Sequence, residues 1–238
     1  MDYVQATLTT HSDSMESYPR IVAGQYGTWA QVALRTNQYE LGLEKMREHL
    51  KIRESIFAET GTLDSHIAAA YSETARAMLM NGLFSEARTL IYRSIELRKQ
   101  MPKFSRLQLH SPLMYLAWID WHEGSYQDAV DKLLEALRDR EVEFGRDDYE
   151  GMRSVMSLPA SLNHPMLRVM TTCSAGELLY YLGQVRNSQG FLKDSFQYQQ
   201  RALLQFRATL GEDDFYTGLA CHQMARHTMR ERDLSATK

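Results

Sequence analysis

Cysteine is nearly missing: Cys173 and Cys221 are the two in 238 residues. That excludes a disulfide scaffold or a Cys-rich zinc module and suits a reducing compartment. Five prolines and 13 glycines are too few for a many-stranded sandwich. The apolar runs are short, 67–71 for example, so no segment is built to span a bilayer. Residues 1–17 carry acids and hydroxyls without an apolar stretch, which excludes a secretory signal and points to the cytoplasm. No sign of charge dominates. Against 30 acids stand 27 bases, a net charge of −3, which argues against wrapping nucleic acid or binding a membrane surface. No Gly-x4-Gly-Lys-Ser/Thr loop, Ser-His-Asp order, paired-carboxylate motif or Cys/His zinc spacing occurs, so neither an enzyme nor a cofactor is indicated. What is present is ordinary globular material, 44% hydrophobic and 24% charged. The 13 methionines and the Glu, Arg, Leu and Ala stretches favour helix.

The chain repeats itself. Ala75, Gly82, Phe84, Ala87 and Arg98 recur at Ala117, Gly124, Tyr126, Ala129 and Arg140, each 42 residues on. A copy 45 residues upstream holds Ala30, Asn37, Tyr39, Gly42 and Arg53. Another, displaced by 66 from the 117–129 copy, holds Gly183, Gly190, Leu192 and Ser195, and Ala225 follows Gly183 by 42. The physical unit is two helices meeting at a glycine, where the chain needs a left-handed cap. A small residue seven positions earlier lets the helices approach, and an aromatic two positions later fills the corner. Phe84, Ala87, Ile91, Ser94 and Ile95 form one apolar stripe at spacings of 3 and 4. Pro19, Pro102 and Pro112 fall where helices begin or have ended.

This pattern, small–x6–Gly–x–aromatic–x2–Ala–x6–small, resembles the tetratricopeptide repeat (TPR). The 42-residue step resembles the kinesin-light-chain subtype, as do the acidic links Phe144-Gly-Arg-Asp-Asp148 and Leu210-Gly-Glu-Asp-Asp214. The segments beginning at Tyr126 and Tyr198 are closest in flavour to fungal members. The resemblance covers about residues 21–233 and implies an all-α fold, a TPR-type right-handed superhelical solenoid of antiparallel helix pairs. His49 stands where Ala is usual and Gln199 where a bulky apolar residue is usual, two departures from the pattern.

The expected organisation is a flexible tail over 1–20, then units at about 21–58, 64–101, 108–145 and 174–211. A capping helix follows at 215–233, polar enough to close the array without an apolar face, and then a short tail over 234–238. The 66-residue step leaves about 154–174 outside the repeat. That stretch holds Pro159 and Pro165 and no acid. It is a plain loop or insert, a lid over the groove, or a retained intron, and deleting it restores the 42-residue register.

The resemblance implies that the first helix of each unit lines a concave groove. Taking the small residue as position 8, positions 5, 9, 12 and 13 project into it. The candidate ligand contacts are Gln31 and Arg35; Ser72 and Arg76; Trp118, Trp121 and His122; Tyr180, Gln184 and Asn187; and His222, Arg226 and Arg230. No groove position is acidic, so the expected role is an adaptor or scaffold binding a protein or peptide partner, acidic or acidic–aromatic. Leu34, Leu79 and Met114 are the groove positions expected to pack instead. Two other classes stay open: an accessory protein or atypical enzyme using the groove as a small-molecule pocket, and a self-association module forming a homo-oligomer. The chaperone-type carboxylate clamp is excluded, because Ser72/Arg76 and Met114/Trp118 stand where it needs Lys and Asn. Asp120 and His122 lie two apart on a helix and face different ways, so no metal site is expected.

Overall fold

The computed structural model describes residues 18–145 and 174–236, with backbone alone from 231. Residues 1–17 of the expected 1–20 tail and 237–238 of the expected 234–238 tail lie outside the described residues, as does the non-repeat stretch apart from Ser174. The described residues form nine α-helices and no strand. They are α1 Pro19–Arg35, α2 Tyr39–Thr60, α3 Ser65–Met80, α4 Phe84–Lys99, α5 His110–His122, α6 Tyr126–Phe144, α7 Ser174–Ser188, α8 Leu192–Leu210 and α9 Phe215–Ala236. A 3₁₀ turn, Arg106–Leu109, leads into α5 behind a Ser105/Gln108 capping box. The first helix starts at Pro19, so the expected tail of 1–20 ends slightly earlier. Proline suits that first helical position because its missing N–H would be unpaired there anyway.

Four corners share one geometry. Asn37, Gly82, Gly124 and Gly190 adopt φ of 60°, 75°, 83° and 84°. In the second corner Gly82 N–H bonds Leu79 O at 3.0 Å and Leu83 N–H bonds Met78 O at 3.0 Å, the double bond of a Schellman cap. The same pairs recur at Asn37, Gly124 and Gly190. Asparagine replaces glycine once because its short polar side chain tolerates the left-handed region. These corners bring each following helix back along its predecessor. Gly27 faces His49 while Leu34 faces Gly42, so α1 and α2 run antiparallel. Between α2 and α3 the chain stops at Gly61, also left-handed, and restarts at Asp64, whose carboxylate accepts from His66 N–H and Ile67 N–H.

The chain divides into two compact units, Met1–Tyr115 and Leu116–Lys238. In the first, α1 packs on α2, α2 on α3 and α3 on α4. Leu50, Ile67, Ala68, Ala70 and Leu97 form one core cluster there, bordered by Phe57, Leu63 and Tyr71. In the second, α6 packs on α7, α7 on α8 and α8 on α9. Its core includes Leu133, Leu178, Leu182 and Phe206.

Glycine on a first helix repeatedly admits a large side chain from the second. A Cβ on Gly176 would lie 2.5 Å from the Phe206 ring, and one on Gly183 would lie 2.4 Å from Gln199. A Cβ on Gly27 would lie 3.1 Å from the His49 ring. The two departures from the repeat, His49 and Gln199, are therefore each matched by a glycine opposite. Each also finds a backbone partner: His49 Nδ1–H donates to Ala23 O at 2.6 Å, and Gln199 Nε2 donates to Tyr180 O at 3.0 Å. Burial pushes the His49 imidazole below its usual range, with the Ala23 carbonyl opposing.

Candidate functional site

In the first unit, the strip presented by α1 and α3 closes on itself. Glu73 is the acid between the two helices. It accepts from Gln31 Nε2 at 2.8 Å and from Arg76 Nε at 3.1 Å, and Arg76 also donates to Gln31 Oε1. Behind this group lies a buried hydroxyl pair. Ser94 donates to Ala68 O at 2.7 Å and sits 2.6 Å from Ser72. Arg98 reaches both hydroxyls at 3.1 Å. Burial lowers the Arg98 pKa, and the Glu73 charge opposes that shift. Arg35 stands apart, exposed in the last turn of α1, where its charge complements the helix dipole.

In the second unit, the end of α5 meets α7 through aromatic rings. Trp118 stacks on Tyr181 with centroids 6.0 Å apart. His122 lies 6.1 Å from Trp118 and 5.4 Å from Trp121. Trp121 Nε1–H donates to Ser188 Oγ at 2.9 Å, which fixes the indole against α7. Tyr180 meets Tyr181 edge-on. The two indoles and both tyrosines are half-buried, so they present ring surface rather than fill a core. Asp120 turns the other way, buried, and its Oδ2 holds Lys132 of α6 at 2.7 Å. This ion pair locks α6 to α5 and leaves His122 on the opposite face. On α9, Arg226 and Arg230 are exposed one turn apart, and Arg230 donates to Asn187 of α7 at 2.8 Å. The helix is held by its inner face, where Ser195 donates to Gly183 O at 2.7 Å and accepts from His227 Nε2 at 3.0 Å.

Two crystal structures of Podosopora anserina kinesin-light-chain-type, nearly identical TPR-like repeats share this architecture. One, a single-substitution variant, matches with a TM-score of 0.55 at 17% identity, over 91% of this chain and 89% of that one. The other matches with a TM-score of 0.54 at 18% identity, over 90% and 89%. The fold is TPR-like. No protein-family model matches the chain, and no curated protein matches it. The likeness at this identity concerns the fold alone, and the chemistry must come from this chain's own residues.

Within the TPR-like helix pairs the candidate contacts separate into three groups. Ser72 requires a correction: it is 1% exposed, its hydroxyl is engaged with Ser94 and Arg98, and it cannot meet a ligand. Its helix position faces the paired helix, because Ser94 is small enough to let α4 close over it. Gln31 and Arg76 come together, but each is bonded to the other and to Glu73. Trp118, Trp121 and His122 form one aromatic group, Asn187 and Arg230 form a polar pair, and Tyr180 and Gln184 lie half-buried on the same α7 helix. Leu34, Leu79 and Met114 are buried packing residues.

Two contributors escape the positional rule. Tyr181 sits one place after the expected groove position, yet it carries the stack with Trp118. Glu73 sits one place after Ser72 and neutralises Arg76. The signal for Glu73 is its spacing of three from Arg76, the interval at which helix neighbours pair. Among the described residues, no group of three or more His, Cys, Asp or Glu could hold a metal, and no helix is long and apolar enough to cross a membrane.

Proposed function

We propose that the protein is a non-catalytic, cytoplasmic adaptor whose second unit captures an acidic peptide segment bearing an aromatic or apolar anchor. The observation that carries this reading is the aromatic group of half-buried Trp118, Trp121 and Tyr181 with the exposed His122. Rings held by stacking and by the Trp121–Ser188 bond offer apolar contact area that loses little side-chain freedom on binding. Arg226 and Arg230 supply forked donors for carboxylates on the same unit. The first unit contributes much less to this chemistry, since Arg76 already has its carboxylate in Glu73.

The test is fluorescence anisotropy with labelled Asp/Glu-rich peptides that contain one Phe or Trp. Trp118→Ala should weaken binding about tenfold or more, the loss of a central aromatic anchor. Arg230→Glu should weaken it as well and reduce the preference for acidic over neutral sequences. Both variants should keep the wild-type circular dichroism spectrum. Unchanged affinity in Trp118→Ala, or preference for basic peptides, overturns the reading.

A further inference from the structure

The outer face of α9 departs from the expectation of a polar closing helix. Thr217, Ala220 and His227 are buried against the rest of the unit. On the opposite side Phe215, Gly218, His222, Ala225 and Met229 follow one another at spacings of 3 and 4, all exposed. Phe215 is 71% exposed and Met229 68%. This stripe has a counterpart inside the unit. Gly218 and Ala225 lie 42 residues beyond Gly176 and Gly183, the two positions on α7 that are covered by Phe206 and Gln199 of α8. Gly218 has no atom within 4 Å of where its Cβ would be. So α9 presents the face on which a second helix packs in the preceding pair, and no described residue covers it.

The stripe is nearly symmetric about its middle. Phe215 and Met229 stand seven residues to either side of His222, and Gly218 and Ala225 lie between. An antiparallel copy of the same helix, crossed at His222, sets Phe215 against Met229 at both ends and Gly218 within one residue of Ala225 between them. The contact runs about 21 Å at 1.5 Å per residue. Charge agrees with the antiparallel direction. Glu212, Asp213 and Asp214 precede the helix, whereas Arg226 and Arg230 lie toward its far end. Reversal about His222 sets Asp214 of one copy level with Arg230 of the other, with Arg226 one turn away, and a parallel pairing would set like charges together.

We propose that the protein forms a two-fold homodimer through the outer face of α9, with His222 of each copy at the axis. The acidic turn and Phe215 have the chemistry assigned above to the peptide ligand. Insofar as that reading holds, dimer and peptide compete for Arg226 and Arg230.

The experiment is light scattering of the full chain on a sizing column, at several concentrations and without peptide. A dimer mass is expected, and Ala225→Arg should convert it to monomer with an unchanged circular dichroism spectrum. In a Cys173→Ser, Cys221→Ser background, His222→Cys should give a disulfide-linked dimer under mild oxidant, whereas cysteine in place of the exposed Glu59 on α2 should not. A monomer at every concentration, a dimer that survives Ala225→Arg, or failure of His222→Cys to cross-link overturns the proposal. An open-ended series of larger species also overturns it, and would point instead to head-to-tail contact with the exposed Tyr18 just before α1 and Ile21 and Val32 on it. Because the dimer is measured without peptide, its absence leaves the adaptor reading standing, and loss of peptide binding in Trp118→Ala leaves the dimer standing.

Discussion

The two units both carry arginines close to their candidate contacts, and use them differently. In the first, Arg76 is held by Glu73 and Gln31, and Arg98 is drawn inward onto Ser72 and Ser94. In the second, Arg226 and Arg230 stay exposed beside a layer of half-buried rings. One face has its hydrogen bonds closed within the fold, whereas the other retains donors and ring surface toward solvent. Counting charged residues along a groove does not find a binding site. What matters is whether a partner for each charge is already built in.

That contrast can be broken first at the seams. Gly176→Ala should cost about 2–3 kcal/mol, because the new Cβ meets a Phe206 ring that is itself stacked on Tyr216. Gly27→Ala in the first unit should fall within about 0.5 kcal/mol of wild type, the gain in helix propensity offsetting a contact to which the His49 ring can yield. Urea unfolding monitored by circular dichroism distinguishes the two, and equal effects would mean that the seams are equally tight.

A second change acts on the closed face. Glu73→Ala removes the acid shared by Gln31 and Arg76 and should cost about 1–2 kcal/mol. The pair is a quarter exposed or less, with side chains 18% and 23% accessible, so the loss falls short of that for a fully buried pair. Trp118→Ala should cost about 1–2 kcal/mol, the loss of a half-buried stacked indole, while abolishing most peptide capture. If Glu73→Ala is neutral and Trp118→Ala unfolds the protein, the assignment of one face to structure and the other to recognition is reversed.

The smallest expected effect is a pH dependence confined to the first unit. The unfolded chain takes up a proton on His49 near pH 6.5, and the folded protein does so only at lower pH, chiefly because of burial. The unfolded state therefore binds more protons as the solution is acidified. The stability associated with the neutral ring is complete above about pH 6.5 and declines as the pH falls toward the lowered folded value. Thermal melts between pH 7.5 and 5 should show a decline that is less steep in His49→Gln.

Much of the fold was legible because glycine and alanine mark it. Gly82, Gly124 and Gly190 could be placed at left-handed corners from spacing alone, since few other residues adopt that conformation. Asn37 could be placed by its register with them. The candidate site was less legible, for a geometric reason. A rule that assigns groove positions along one helix ignores what the next helix brings. Ser72 lost its access to Ser94, Arg76 gained Glu73, and Tyr181 entered the stack from a neighbouring position. Such outcomes depend on pairs of helices, and helix-to-helix pairing has no fixed spacing in the chain.

The mismatched seams also bear on how the chain avoids confusing its own parts during folding. Arrays of near-identical repeats can align a helix with the wrong neighbour, and misassembly of this kind is a recognised hazard of repeat proteins. Here each contact has its own shape: an imidazole over Gly27, paired hydroxyls at Ser72 and Ser94, an amide over Gly183 and a phenyl ring over Gly176. A helix that docks one repeat out of place would set a bulky side chain on a Cβ or leave a glycine uncovered. The irregular seams thus serve as address labels that discriminate against shifted pairings. Replacing His49, Ser72, Ser94, Gln199 and Phe206 and their facing glycines with a uniform Ala/Ile set should keep helix content but raise the misassembled fraction after dilution from urea, measured by sizing column. An unchanged yield of correctly sized protein would show that the order of the helices is specified elsewhere.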